Sequence, residues 1–110
     1  MKVEGNPIVK NRRKFPRLSL SNACEVTLKS GDVKRGIMVN LSANGLSFIT
    51  EDHDLKMGEL LKFQIKNFAI QKSLPAVAIR KAILANGSTQ YSCRMLDDDM
   101  DIAAYIDARL

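Results

Sequence analysis

The segment VKRGIMVNLSANGLSF, residues 33–48, decides the fold class. Apolar side chains occupy every second position in its first half, at Ile37, Val39 and Leu41, which is the period of a strand with one buried face. The pair Asn44-Gly45 follows, and Asn-Gly is a frequent hairpin turn because both residues tolerate a positive φ. We therefore predict a β-hairpin in which Ile37, Val39 and Leu41 face the core.

Four more segments show a similar alternation and bring the number of predicted strands to six. They cover residues 22–29, 61–66, 74–84 and 90–95. In the third of them, Val77 and Ile79 are predicted to share one face, while Arg80-Lys81 breaks the pattern and indicates a bulge or a change of face. Short strands joined by turns, without crossover helices, favour an antiparallel barrel or sandwich.

The hydrophobic period changes after the last strand. Apolar side chains then recur at helical spacing, at Ile102, Tyr105, Ile106 and Leu110. One of the three aspartates Asp97, Asp98 and Asp99 can cap the N-terminus of such a helix. We expect a mainly all-β domain with a short C-terminal α-helix packed on the strands.

The charge of the chain is distributed unevenly. The net formal charge is +5, but residues 1–50 carry nine lysines and arginines against three acidic residues, whereas residues 51–110 carry eight against nine. Such asymmetry predicts an anionic partner for the N-terminal half. No stretch approaches the ~20 apolar residues of a membrane span, and no secretory signal is evident, so we expect a cytoplasmic protein without membrane contact.

Sequence patterns of catalysis and metal binding are missing. The only histidine, His53, has no serine or cysteine beside it that could act as a nucleophile, so we expect no enzymatic activity. A solvated loop residue is the favoured interpretation of His53, ahead of a metal site with Asp52 and Asp54, and no metal or cofactor is expected. Cys24 and Cys93 are predicted to be buried free thiols.

The segment Asn-Arg-Arg-Lys-Phe-Pro-Arg, residues 11–17, is the most informative cationic stretch. The arginine guanidinium is a rigid fork of donors that suits phosphate oxygens and the Hoogsteen edge of guanine. Pro16 disfavours helix, so Arg13 and Arg17 are expected along an extended or turning segment. We predict that residues 1–17 form a flexible basic tail and residues 18–110 the folded domain. On this segment alone, a simple basic tail explains the sequence equally well.

A polar shelf is predicted beside the hairpin turn. If Val39 and Leu41 face the core, Asn40 and Ser42 project from the outer face. An asparagine amide offers both a donor and an acceptor to a base edge, and Gly45 lets the backbone approach a ligand closely. Read alone, the same residues also fit an ordinary hairpin.

Taken together, Arg13-x-x-x-Arg17 and Asn40-x-Ser42-x-x-Gly45 resemble the bipartite RxxxR and (D/N)xSxxG signature of the PilZ family. The resemblance implies a six-stranded antiparallel β-barrel with a C-terminal helix, acting as a receptor for the bacterial second messenger cyclic di-GMP (c-di-GMP). Arg13 and Arg17 would then bind phosphates and guanine, Asn40 and Ser42 would address a guanine on the barrel, and Gly45 would keep the turn.

The resemblance also implies a stoichiometry and a mode of signalling. In the family, an arginine immediately before the RxxxR motif accompanies binding of two intercalated ligand molecules, and Arg12 occupies that position. We expect the tail to fold over the ligand and to present a changed surface to a downstream effector protein. The alternatives are a PilZ-like adaptor that binds no nucleotide and a small-barrel binder of single-stranded nucleic acid. The second is disfavoured because most of the aromatic residues fall on core-facing positions.

Overall fold

A computed structural model describes residues 14–110 of the chain. Six antiparallel strands close into a barrel in the order β1-β2-β3-β6-β5-β4, with β4 paired to β1, and a helix follows the last strand. Their bounds are β1 Leu18–Thr27, β2 Val33–Ser42, β3 Gly45–Thr50, β4 Leu60–Ile65, β5 Leu74–Ile83, β6 Thr89–Met95 and α1 Met100–Asp107. The predicted six-stranded barrel with a short C-terminal helix is confirmed. No helix within the described range is long and apolar enough to cross a membrane.

Three aromatic side chains form the centre of the core. Phe48, Phe63 and Tyr91 are completely buried, and the Phe48 ring packs edge-on against Phe63 at 4.9 Å and stacks on Tyr91 at 5.5 Å between ring centroids. They lie on β3, β4 and β6, at the inward positions that the alternation predicts. Strands β3, β4 and β6 thus each contribute one ring to the centre of the core.

The alternation prediction is wrong for the first half of β2. Met38 is completely buried there, whereas Ile37 is 47% exposed and Val39 is only half-buried. The register between β2 and β3 shifts between Met38 and Asn40, so Val39 is the extra residue of a β-bulge. The bulge reverses the side-chain parity, and Leu41 therefore faces the core as predicted.

The inward face of β5 consists of Leu74, Ala76 and Ala78, whereas Val77 is half-buried and Ile79 is 52% exposed. The register with β6 shifts between Ala78 and Arg80. The irregularity that the sequence predicts near Arg80 is thus confirmed as a bulge at Ile79.

The hairpin between β2 and β3 exists, but its turn works differently from the prediction. Neither Asn44 nor Gly45 has a positive φ. Glycine at position 45 instead fits a close approach, because a Cβ there would lie in tight contact with the Cys93 carbonyl oxygen, at 3.0 Å. By contrast, the turn at Asn86-Gly87 does use a positive φ, of 90° at Gly87.

Helix α1 is capped by Asp99, whose carboxylate accepts a hydrogen bond from the Ile102 amide at 3.1 Å. Ile102 and Ile106 are buried against the barrel, and the Tyr105 ring lies 4.8 Å from that of Phe68. The prediction is wrong for Leu110, which follows the end of the helix and is 81% exposed.

The Tyr91 hydroxyl makes two of the hydrogen bonds that hold the loop between β3 and β4. The Tyr91 hydroxyl donates to the Asp52 carbonyl at 2.8 Å and accepts from the buried Leu55 amide at 3.2 Å. Burial is the main reason why the pKa of Tyr91 is raised. Cys24 and Cys93 are buried free thiols as predicted, and burial raises their pKa to about 11 and about 12.

Candidate functional site

A cleft of about 380 Å³ lies between residues 14–17 and the outer face of the barrel. Residues of the N-terminal segment, of the β2–β3 hairpin and of strands β5 and β6 line it together. Its lining is Lys14, Phe15, Arg17, Asn40, Leu41, Ser42, Asn44, Gly45, Leu46, Ser47, Ile79, Arg80, Gln90, Ser92, Cys93 and Arg94. The cleft is therefore predominantly polar, with four basic side chains.

Four of the six predicted site residues meet in this cleft. Arg17 comes from the segment before β1, whereas Asn40, Ser42 and Gly45 come from the hairpin. The other two, Arg12 and Arg13, lie outside the described residues. Arg17 and the hairpin half of the motif, which are more than twenty residues apart in the chain, thus face the same cavity.

A row of polar residues runs across the outer surface of the barrel through this cleft. Neighbouring members are register partners on adjacent strands, and the row reads Ser19, Asn40, Ser47, Ser92 and Arg80 across β1, β2, β3, β6 and β5. Register partners point to the same side of a sheet, so these side chains share the outer face. We call this set the polar row.

The bulge at Val39 places Asn40 in the polar row. Counted from the buried Met38, strict alternation would turn Asn40 towards the core, but the extra residue restores it to the outer face opposite Ser47. Asn40 is half-buried there, and its amide can present both a donor and an acceptor to a bound group.

Ser42 occupies a different position from the one predicted. Its side chain is buried, at 5% exposure, and the hydroxyl donates to Asn44 Oδ1 at 2.8 Å and to the Gly45 carbonyl at 3.2 Å. Two further bonds fix the same turn, from the Met95 amide to the Asn44 carbonyl and from the Asp99 amide to the Ala43 carbonyl. Ser42 therefore holds the rim of the cleft.

The cleft carries a positive field. Within residues 14–110, its lining includes the cations Lys14, Arg17, Arg80 and Arg94 and no carboxylate. Within residues 14–110 the three arginines form no ion pair, whereas Lys14 bonds to Asp98, just before helix α1, at 3.0 Å. Cations gathered in a concave surface attract anions and can form charge-assisted hydrogen bonds with them.

A family model named PilZ domain matches residues 11–109. This chain belongs to the PilZ family. The match covers the cationic segment from Asn11 as well as the barrel and the helix. A search of curated proteins gives no match.

Several solved structures share the PilZ fold of this chain. The PilZ domain of YcgR from Escherichia coli, solved with c-di-GMP, has a TM-score of 0.64 at 18% identity over 87% of this chain and 86% of that one. The Bacillus subtilis inhibitor of motility MotI/DgrA has a TM-score of 0.72 at 17% identity over 89% and 51%. The MrkH–c-di-GMP complex of K. pneumonia has a TM-score of 0.64 at 18% identity over 88% and 49%. The chain thus spans about half the length of MotI/DgrA and MrkH.

The cleft lining also includes residues that the sequence prediction missed. They are Ser47, Ile79, Arg80, Gln90, Ser92 and Arg94. The alternation of β6 contained a usable signal, because its inward residues Tyr91, Cys93 and Met95 leave the residues between them on the outer face. For Arg80 the sequence indicated an irregularity, but its outward direction depends on the exact position of the bulge at Ile79.

The loop that contains His53 lies outside the PilZ cleft. His53 Nδ1 lies 2.6 Å from the hydroxyl of the buried Thr89, so its ring has a structural contact. Residues 14–110 contain no group of three histidine, cysteine or acidic side chains arranged to hold a metal ion. The contacts of His53 give it a place in the packing of this loop.

Proposed function

We propose that this PilZ domain is a receptor for c-di-GMP and that the cleft is its binding site. The supporting observation is the convergence of Arg17, Asn40 and Gly45 on one cationic cavity, although they are far apart in the chain. A cyclic dinucleotide has two phosphates and two purines, and a cleft with cationic forks beside an amide matches that chemistry. Two of the structural neighbours were solved with c-di-GMP.

Each proposed binding residue has a distinct chemical part. Arg17 donates to phosphate oxygens or to the Hoogsteen edge of guanine, and Asn40 pairs with a base edge. Gly45 leaves the rim open, because no side chain rises from that position. Ser42 uses its proton within the turn, so it supports the rim and offers the ligand only an acceptor. By motif match, Arg12 and Arg13 complete the site.

The proposal includes a conformational change of the arginine segment. Lys14 is bound to Asp98, and a ligand phosphate is a rival anion for the same group of cations. Fixing each residue of the segment costs about 1 to 2 kcal/mol in entropy, which charge-assisted hydrogen bonds must offset. We infer that the segment rearranges around the ligand, and that Arg12 supports a second, intercalated ligand molecule.

We propose that the rearranged segment changes the surface of the domain and that this changed surface is the signal. A receptor that performs no chemistry acts by offering a different surface to a downstream effector protein, and we propose such a non-enzymatic, cytoplasmic role here. Because the chain spans about half of MotI/DgrA and MrkH, the identity of that partner does not follow from the likeness.

The alternative functions find less support. A single-stranded nucleic-acid binder stacks bases on exposed aromatic rings. In this chain, four of the six aromatic side chains are buried, and the other two, Phe15 and Tyr105, are half-buried. A nucleotide-free adaptor has no need of a cleft to which the described residues contribute four cations and no carboxylate. The receptor explains these features better than either alternative.

Isothermal titration calorimetry with c-di-GMP tests the proposal. We expect Arg17→Ala and Arg13→Ala each to weaken binding about tenfold or more, because each removes hydrogen bonds to a charged group. Arg35→Ala is the matched control, since Arg35 is an arginine on β2 that does not line the cleft. Lack of binding by the wild-type protein, or unchanged affinity in both variants, would refute the assignment.

A further inference from the structure

Two bulges flank the cleft, and each determines the direction of one polar side chain. The bulge at Val39 turns Asn40 outward, and the bulge at Ile79 does the same for Arg80. Without the second bulge, alternation from the completely buried Ala78 would aim Arg80 into the barrel. The bulge in β5 therefore interrupts the pairing with β6 at the position where the extra residue directs Arg80 into the cleft.

Asn40 and Arg80 stand near opposite ends of the cleft. The register places Ser47 and Ser92 between them, and the hydroxyl oxygens of these two serines are 3.5 Å apart. Three strand spacings of about 4.8 Å separate the ends, which is about 14 Å along the surface. Asn40 and Arg80 therefore contact two different parts of the ligand, and a single ligand molecule has to extend along the cleft to reach both.

The surroundings of Arg80 suit a nucleotide. Arg80 is exposed to solvent on the outer face, and within the described part of the chain it forms no ion pair. Its neighbour Ile79 is 52% exposed within the cleft lining, where an apolar surface can pack against the face of a base. An exposed isoleucine does not stabilise the free domain by burial, whereas a base above it would cover it.

We propose that Arg80 is a further ligand-binding residue, which holds the end of c-di-GMP remote from Asn40 through the second phosphate or the second guanine. The inference rests on the proposed receptor function. Arg80 is held by a strand of the barrel, unlike the arginines of the N-terminal segment. It thus forms a preset part of the site, which binds the ligand independently of that segment.

The test is calorimetry with c-di-GMP on the full chain, carrying Arg80→Ala, Arg80→Lys or the control Arg35→Ala. We expect Arg80→Ala to weaken binding about 10- to 100-fold, and Arg80→Lys to recover only part of the loss because lysine lacks the planar fork. Arg35→Ala removes the same charge outside the cleft and should change affinity less than threefold. Circular dichroism of each variant verifies the fold.

A second comparison shows whether Arg80 acts at its own end of the ligand. In the double variant Arg17→Ala/Arg80→Ala, the loss of affinity should equal the product of the losses in the two single variants to within about threefold. The reason is that the free-energy contributions of distant, independent contacts add. If the wild type bound c-di-GMP and Arg80→Ala bound it as tightly as Arg35→Ala, the inference would be overturned and the receptor function would stand. No binding by the wild type would overturn both.

Discussion

The Tyr91 hydroxyl gives a sharp test of the architecture, because the chain has only two tyrosines and they differ in environment. Tyr91→Phe removes one oxygen atom and leaves the aromatic stack in place. The amide of Leu55, which is 3% exposed, then loses its partner, and an unsatisfied buried amide costs about 1 to 3 kcal/mol. The Asp52 carbonyl also loses its donor, but it lies in a half-buried loop that water can reach. We expect a loss of about 2 kcal/mol.

Urea denaturation followed by circular dichroism measures this loss. The midpoint should fall with an unchanged slope, and the melting temperature should drop by roughly 10 °C or more. Tyr105→Phe is the matched control, since it removes the same atom from a half-buried ring, and it should change stability by less than about 0.5 kcal/mol. If the two variants proved equally stable, the tie between Tyr91 and the loop would be refuted.

Three further predictions follow from other parts of the molecule. Gly36→Ala should destabilise the barrel by about 2 kcal/mol in urea unfolding, because the added Cβ would lie 2.5 Å from the Ile49 carbonyl oxygen; wild-type stability would contradict the register of β2 and β3. Cys24 and Cys93, with pKa values raised to about 11 and about 12, should stay protonated and resist a disulfide reagent at pH 8 until the protein is unfolded, and rapid labelling of the native protein would count against their burial. Asp98→Asn should strengthen c-di-GMP binding up to about fivefold in calorimetry, since it removes an exposed rival anion, and weaker binding would argue against competition for Lys14.

Much of the fold was predictable because period-two alternation reports burial wherever a strand is regular. It identified the inward faces of β4 and β6, including Phe63 and Tyr91. It failed at Ile37, because the bulge at Val39 reverses the side-chain parity within β2, and no residue in the sequence marks that bulge. Asn40 was correctly predicted to face outward by counting from Val39 as a core residue. In the structure it faces outward because Val39 is the extra residue of a bulge.

The site was predictable to the extent that local motifs carry it. Arg17, Asn40 and Gly45 line the cleft, and it was the resemblance to the bipartite PilZ signature that indicated a common site for them. The role of Ser42 within its turn depends on the hydrogen bonds to Asn44 and Gly45, which spacing does not reveal. The sequence indicated an irregularity at Arg80-Lys81, but the position of Arg80 beside the hairpin depends on the pairing of β3, β6 and β5, which is a long-range property of the fold.

The central claim is that c-di-GMP binds along the polar row, and a titration followed by ¹⁵N–¹H NMR tests it most directly. At saturation, the largest amide shifts should fall on the segment around Arg17, on Asn40 to Ser47, and on Arg80 and Ser92. Amides of β4 that lie away from the cleft, such as Gln64, should shift little. Shifts confined to β4, or no shifts at millimolar ligand, would contradict the claim.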